Sequence, residues 1–213
     1  MFEILLGIFI AVLLDKYLGS WLRTIVLGGI LLPHVMTPVV GALIFSWLFR
    51  DPWGLYAAIL NSLGLRVAWY ANPWAARFLV LIYEIWQNTP LVILIIFAGL
   101  QALPQDPLEA ARIDGASEWQ VFRHITIPFL RPLITFAVLV RTMDAYRVFD
   151  SVYVMTGGGP GSSTETIAFY NYIVAFRQLD IGKGAAISVF ITLIALATLG
   201  PFVYRTYKEI LER

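Results

Sequence analysis

The residues of this chain that are equipped to bind something are few, and they fall in three places. Glu84, Gln87 and Asn88 stand at i, i+3 and i+4, the spacing that sets side chains on one face of a helix. Arg141, Asp144 and Arg147 recur at three-residue intervals, with Tyr146 beside them. The third place is the run Glu109-Ala110-Ala111-Arg112-Ile113-Asp114-Gly115, followed by Ile125-Thr126-Ile127-Pro128. Carboxylates, amides and guanidinium groups set this way form charge-assisted hydrogen bonds to hydroxyls. With Tyr83 and Trp86 nearby as stacking faces, the Glu84 group reads either as part of a sugar-type site or, more simply, as polar glue between helices. The Arg141 group reads either as a path-lining face or as a self-neutralising ladder that holds its helix in place.

Other chemistries are closed off. The chain has no cysteine, which excludes disulfides and thiolate metal sites, and its two histidines, His34 and His124, show no metal-ligand spacing. No glycine-rich nucleotide-binding pattern is present, and a net charge of +1 offers no field for nucleic acid. No cofactor is expected. Of the 213 residues 59% are hydrophobic and 14% charged, with mean hydropathy +0.76. A soluble domain carries about 25% charged residues, so part of this chain's solvent is lipid.

The elements that must position the three groups are therefore membrane spans of about 20 apolar residues each. Five segments are expected: residues 2–14, 24–49 (interrupted by Pro33 and Pro38), 75–100, 133–155 and 185–204. Asp51-Pro52-Trp53-Gly54 reads as a turn, 55–63 as a short amphipathic helix, Gly157-Gly158-Gly159-Pro160-Gly161 as a hinge or tight loop, and 166–179 as an interfacial helix. Trp53, Trp69, Tyr70 and Trp74 suit a membrane–water boundary. If the Glu109 run is cytoplasmic, the inside set is Lys16, Arg23, Arg112, Arg123, Arg131, Arg205, Lys208 and Arg213. The outside set is Arg50, Arg66, Arg77, Arg177 and Lys183. Eight against five favours that orientation, with the C-terminus inside. Met1 opens abruptly inside an apolar run, the pattern of a chain whose first span is missing.

Residues 107–124 read as one amphipathic helix lying in the membrane plane. Pro107 sits in its first turn, Asp106 is a candidate cap, and Glu109 lies near the positive helix end. Gly115 permits a bend, while Trp119, Phe122 and Ile125 anchor the second half. Pro128 and Pro132 restart the chain as the next span.

The spacing Glu-Ala-Ala, three residues, Gly, nine residues, Ile-x-Leu-Pro is the cytoplasmic loop signature of permease subunits of binding-protein-dependent ABC importers. This chain resembles it at Glu109-Ala110-Ala111, Gly115 and Ile125-Thr126-Ile127-Pro128, with Ile127 in place of Leu. The form of the run, with Trp86-Gln87-Asn88-Thr89-Pro90 through Gln101 and Phe149 through Gly161, is similar to the carbohydrate branch, the maltose- and glycerol-phosphate-type permeases. The resemblance covers essentially the whole chain.

It implies an all-α, polytopic helical bundle of about five transmembrane helices, with a cytoplasmic coupling helix and short external interfacial helices. Residues 1–213 would form a single transmembrane domain, with 104–128 as its coupling loop. Glu109, Ala110, Ala111, Asp114, Gly115, Ile125 and Pro128 would couple to a separate ATPase subunit. Glu84, Gln87, Asn88, Arg141, Asp144 and Tyr146 would line the path of a sugar or polyol. The partners implied are a second permease subunit, ATP-binding cassette subunits, an extracytoplasmic solute-binding protein and the lipid bilayer of the cell membrane. The chain itself would catalyse no covalent reaction. Two rival readings are a secondary transporter or channel, and a truncated permease acting as a scaffold.

Overall fold

In the computed structural model, residues 2–211 are described along the backbone and residues 2–202 through their side chains. The described residues form α1 (Phe2–Tyr17), α2 (Ser20–Val35), α3 (Pro38–Leu48), α4 (Leu55–Ser62), α5 (Pro73–Gln101), α6 (Gln105–Ile113), α7 (Glu118–Val121), α8 (Ile127–Ala145), α9 (Asp150–Met155), α10 (Ile167–Tyr172) and α11 (Ile181–Leu211). A π-turn, Phe122–Thr126, makes α7 and α8 one continuous helix, and a second, Ile173–Arg177, extends α10. No strand occurs among the described residues, so the all-α expectation holds.

Three stretches among the described residues are long and apolar enough to cross a bilayer: Pro73–Gln101, Glu118–Ala145 and Ile181–Phe202. Ser20–Val35 with Pro38–Leu48 makes a fourth if its two halves count as one span. The expected first span is short of that length, because α1 has 16 residues and rises only about 24 Å against a hydrocarbon core of about 30 Å. The fourth span also differs from expectation: it starts at Glu118 and ends at Ala145 rather than running from 133 to 155. Its helix is nucleated before the prolines, and the chain turns after Ala145 before α9 begins. The expected fifth span lies within α11. The tail cations Arg205, Lys208 and Arg213 lie outside the residues with described side chains.

The chain packs as two compact units. The first runs up to Leu32 and includes Asn88–Arg141. Its core joins Ile4, Ala11 and Leu14 of α1 with Val92, Ile93, Ile96 and Leu100 of α5 and Leu130 and Ala137 of α8. Small residues let these helices approach closely, as membrane interfaces favour. A Cβ on Gly7 would lie 2.5 Å from Val92 Cγ1, and one on Gly99 would collide with Leu133 and Leu130.

The second unit holds Pro33–Gln87 and Thr142–Phe202. Its core is aromatic: Phe45 stacks on Phe49 at 5.4 Å and meets Tyr83 edge-on at 5.5 Å. The glycine run is the tight loop rather than the hinge. Thr164 N–H donates to Gly158 O (3.0 Å), and Thr164 Oγ1 donates to Gly159 O (3.0 Å) and lies 2.6 Å from Thr156 Oγ1. Gly158 has φ +88° with Phe169 and Glu165 against the space a Cβ would take, so only glycine fits. Thr166 caps α10, accepting from Phe169 N at 3.2 Å. Asp180 caps α11, accepting from Lys183 N (3.0 Å) and Lys183 Nζ (2.8 Å), which holds its carboxyl below the usual range.

The expected second span, 24–49, is not one helix. The chain turns by 96° between α2 and α3, where Pro33 and Pro38 withhold backbone donors. Carbonyls freed in an apolar solvent need new donors. Gln87 Nε2 donates to Met36 O (3.0 Å), Tyr83 Oη donates to Pro38 O (2.7 Å) with Gln87 Oε1 beside the same proton, and His34 Nδ1 lies 3.2 Å from Gln87 O.

Three outcomes are expected. Replacing Gln87 by Leu strands the Met36 carbonyl, while Tyr83 keeps its bond to Pro38 O, and lowers the Tm of the detergent-solubilised chain by about 3–6 °C. Gly7→Val forces α1 off α5 and destabilises by about 1–3 kcal/mol. Gly28→Ala leaves stability unchanged or raises it slightly, because nothing lies within 4 Å of that position. Thermal unfolding of the three variants followed by circular dichroism checks all three.

Candidate functional site

The polar run folds as a short helix, a glycine turn and a new helix. Pro104 is the N-cap of α6, Asp106 stands in its first turn and Pro107 at its third position. The cap expected at Asp106 is therefore shifted, and Glu109 lies in the second turn. Helix α6 has no buried residue, and Glu109, Ala110, Arg112, Ile113 and Asp114 are exposed, Ile113 by 85%.

The helix ends in a Schellman turn. Ala116 N donates to Ala111 O (2.9 Å) and Gly115 N to Arg112 O (3.1 Å), with Gly115 at φ +79°. No heavy atom lies within 4 Å of a Cβ built there. Glycine is thus favoured by backbone conformation and not by crowding.

A capping box then starts α7: Gln120 N donates to Ser117 Oγ (3.3 Å) and Ser117 N to Gln120 Oε1 (2.7 Å). This corrects the expected in-plane helix over 107–124. The in-plane candidate ends at Ile113, and from Glu118 the chain already belongs to the next span.

The π-turn, closed by Ile127 N–H on Phe122 O, follows directly. The buried residues Val121, Thr126, Leu130 and Ala137 are spaced by five, four and seven. The five-residue step matches the wider turn and keeps one face buried. Of the three expected anchors, Phe122 and Ile125 are half-buried. Trp119 is 65% exposed and its ring lies tilted against Phe122, with centroids 5.7 Å apart.

Charges missed by the sequence reading tie this joint together. Glu118 accepts from Lys16 Nζ at 3.1 Å and lies 3.6 Å from Arg112 Nε. Asp15 accepts from Gln101 Nε2 at 2.5 Å and lies 3.6 Å from Arg23. Asp15, Lys16, Arg112 and Glu118 border a cavity of about 470 Å³ walled by Val12, Leu103, Leu108 and Phe122. Exposed ion pairs of this kind are screened by water, so their effect is on geometry more than on stability.

The intramembrane polar residues fall into local pairs. Arg141 Nε donates to Glu3 Oε2 at 2.7 Å, the two side chains being 11% and 15% exposed. Glu3, the partner of Arg141 on α1, is the one acid ahead of Asp15 in an apolar run. Glu84 accepts from Ser151 Oγ at 2.6 Å, and Tyr146 Oη lies 3.1 Å from Thr198 Oγ1 on α11. Gln87 is buried and serves the α2–α3 break, whereas Asn88 and Asp144 are half-buried. Gln87 is the glue that the sequence allowed for.

Comparison with known proteins agrees with this geometry. The family model described as binding-protein-dependent transport system inner membrane component matches residues 3–209. The trehalose/maltose transport system permease protein of Thermococcus litoralis is 38% identical over 92% of this chain, which spans 65% of that protein's length. The trehalose transport system permease protein of Mycobacterium tuberculosis is 34% identical over 89% of this chain and 59% of its own length. A crystal structure of a bacterial alginate ABC transporter in complex with an alginate pentasaccharide-bound periplasmic protein shares the fold, with a TM-score of 0.85 at 21% identity, over 97% of this chain and 71% of that one. The chain belongs to the family of inner membrane components of binding-protein-dependent transport systems.

Proposed function

We propose that this chain is the transmembrane permease subunit of an ATP-driven importer and forms the path for a sugar or related polyol. The observation that carries the reading is α6, a polar helix without a buried residue, joined to a span through a glycine turn and a capping box. Such a helix has a free face for a partner and a stiff connection through which displacement is passed on. The carbohydrate class is supported by the names of relatives that carry trehalose and maltose, and by the fold shared with an alginate transporter.

In this reading Glu109, Ala110, Ala111, Asp114 and Gly115 present the docking surface for an ATP-binding cassette subunit. Ile125 and Pro128 lie on the helix that carries the movement into the membrane. Residues 104–128 are the coupling loop of one transmembrane domain. The loop and the C-terminus face the cytoplasm, on the side of Lys16, Arg23, Arg112, Arg123 and Arg131. ATP binding and hydrolysis occur in the partner, and the spans alternate between outward- and inward-open forms. A second permease subunit completes the path, and an extracytoplasmic solute-binding protein delivers the cargo. Glu84, Asn88, Asp144 and Tyr146 supply hydroxyl-binding groups along the path, while Arg141 and Gln87 hold helices in place beside it.

The glycine turn gives the test. A β-branched residue at φ +79° is strained by about 1–3 kcal/mol, whereas asparagine tolerates that conformation. Gly115→Val is expected to lower ATP-driven uptake by the assembled transporter at least about tenfold, with membrane abundance unchanged. Gly115→Asn retains most of the uptake. Wild-type uptake by Gly115→Val contradicts the role given to α6.

A further inference from the structure

The N-terminal end of α5 carries a stripe that begins outside the groups assigned so far and ends at Glu84, one of them. Arg77, Val80, Leu81 and Glu84 stand at i, i+3, i+4 and i+7, on one face of the helix. With Val152 and the loop residues 163–166 they line a cavity of about 280 Å³. Arg77 Nε donates to Ser163 O at 2.7 Å, which fixes the guanidinium in the wall. The Arg77 guanidinium also lies 5.0 Å from the ring centre of Trp74, a residue 74% exposed. The side chain of Glu165 is exposed, and its stem packs over Gly158 in the rigid glycine loop. Among the described residues the buried Ser163 Oγ has no hydrogen-bond partner.

We propose that this cavity is an outer subsite for a polyhydroxylated solute, occupied before the solute reaches the deeper polar groups. The proposal rests on the transport reading above and extends it to a position that reading leaves unassigned. A sugar ring has an apolar C–H face and a rim of hydroxyls that both donate and accept. Val80, Leu81 and Val152 offer the apolar wall. Arg77 donates to ring hydroxyls and Glu165 accepts from them. The volume lies just below the range of about 300–1,000 Å³ typical of drug-sized pockets, which suits a single ring. Glu84, seven residues beyond Arg77, is about 10 Å further along the helix. The stripe thus leads from the helix end toward the residue placed on the path.

The chain has no native cysteine, so a single introduced thiol reports on the site. Leu81 lines the cavity and is 53% exposed. The full chain with Leu81→Cys, in lipid nanodiscs, is labelled with a water-soluble thiosulfonate in the presence of glycerol, trehalose or maltose. At least one of the three is expected to slow labelling saturably, while a Ser62→Cys control on α4 is unaffected. Adding Arg77→Met or Glu165→Gln is expected to raise the half-protecting concentration about tenfold without changing the unprotected rate. Absence of protection by all three solutes, or protection that survives both substitutions, overturns the subsite. Receptor-dependent, ATP-driven uptake of the same solutes by the assembled transporter is measured in parallel. Intact uptake with no protection removes the subsite alone, whereas failure of ATP-driven uptake for every carbohydrate tested strikes the transport reading itself.

Discussion

Most of this structure follows from one constraint: a backbone in lipid must satisfy its own hydrogen bonds. The chain breaks the helix ladder where a straight rod would not serve, and then supplies replacement donors. At the α2–α3 break the amide of Gln87 and the hydroxyl of Tyr83 take the carbonyls of Met36 and Pro38. Ahead of Pro128 the helix widens into a π-turn and regains its register through Ile127 N–H on Phe122 O. At Gly115 the Schellman bonds and the following capping box close both helix ends at a sharp turn. Each departure from straight helix is locally satisfied, which is what lets bent elements persist beside lipid.

The same economy governs charge. An ion in the membrane needs a partner, and the Arg141–Glu3 pair supplies one across two helices of the first unit. Removing one member of such a pair leaves a buried charge, at a cost of about 3–5 kcal/mol. At the α6 end, Glu118, Lys16 and Arg112 form exposed pairs that orient more than they stabilise. The helix they border keeps its own outer face uncommitted. A stiffly joined element with an open face is suited to receiving a push from outside the membrane.

Much of this was legible from residue types. Apolar runs located α5 and α11, turn chemistry located α4 and the glycine loop, and the Glu-Ala-Ala spacing located α6. The boundaries of α6 were not legible as read, because Pro107 and Asp106 resemble a start signal that Pro104 in fact supplies. Ser117 and Gln120 carried the capping-box pattern for α7, and taking the segment as one helix hid it. Gln87 read as ligand or, more simply, as glue, but one residue cannot show which carbonyl stands opposite it. Glu3, Ser151 and Thr198 became partners only through contacts 138, 67 and 52 residues away in sequence, which no local pattern encodes.

The central claim is that α6 meets an ATP-binding subunit, and proximity tests it most directly. A thiol placed by Ala110→Cys, in a chain otherwise free of cysteine, is exposed to a bifunctional cross-linker in native membranes. The account predicts a covalent product with an ATP-binding cassette subunit, whose yield changes when ATP is added. Cross-linking that never captures such a subunit, from Ala110 or from the neighbouring exposed positions Glu109 and Ile113, would contradict it.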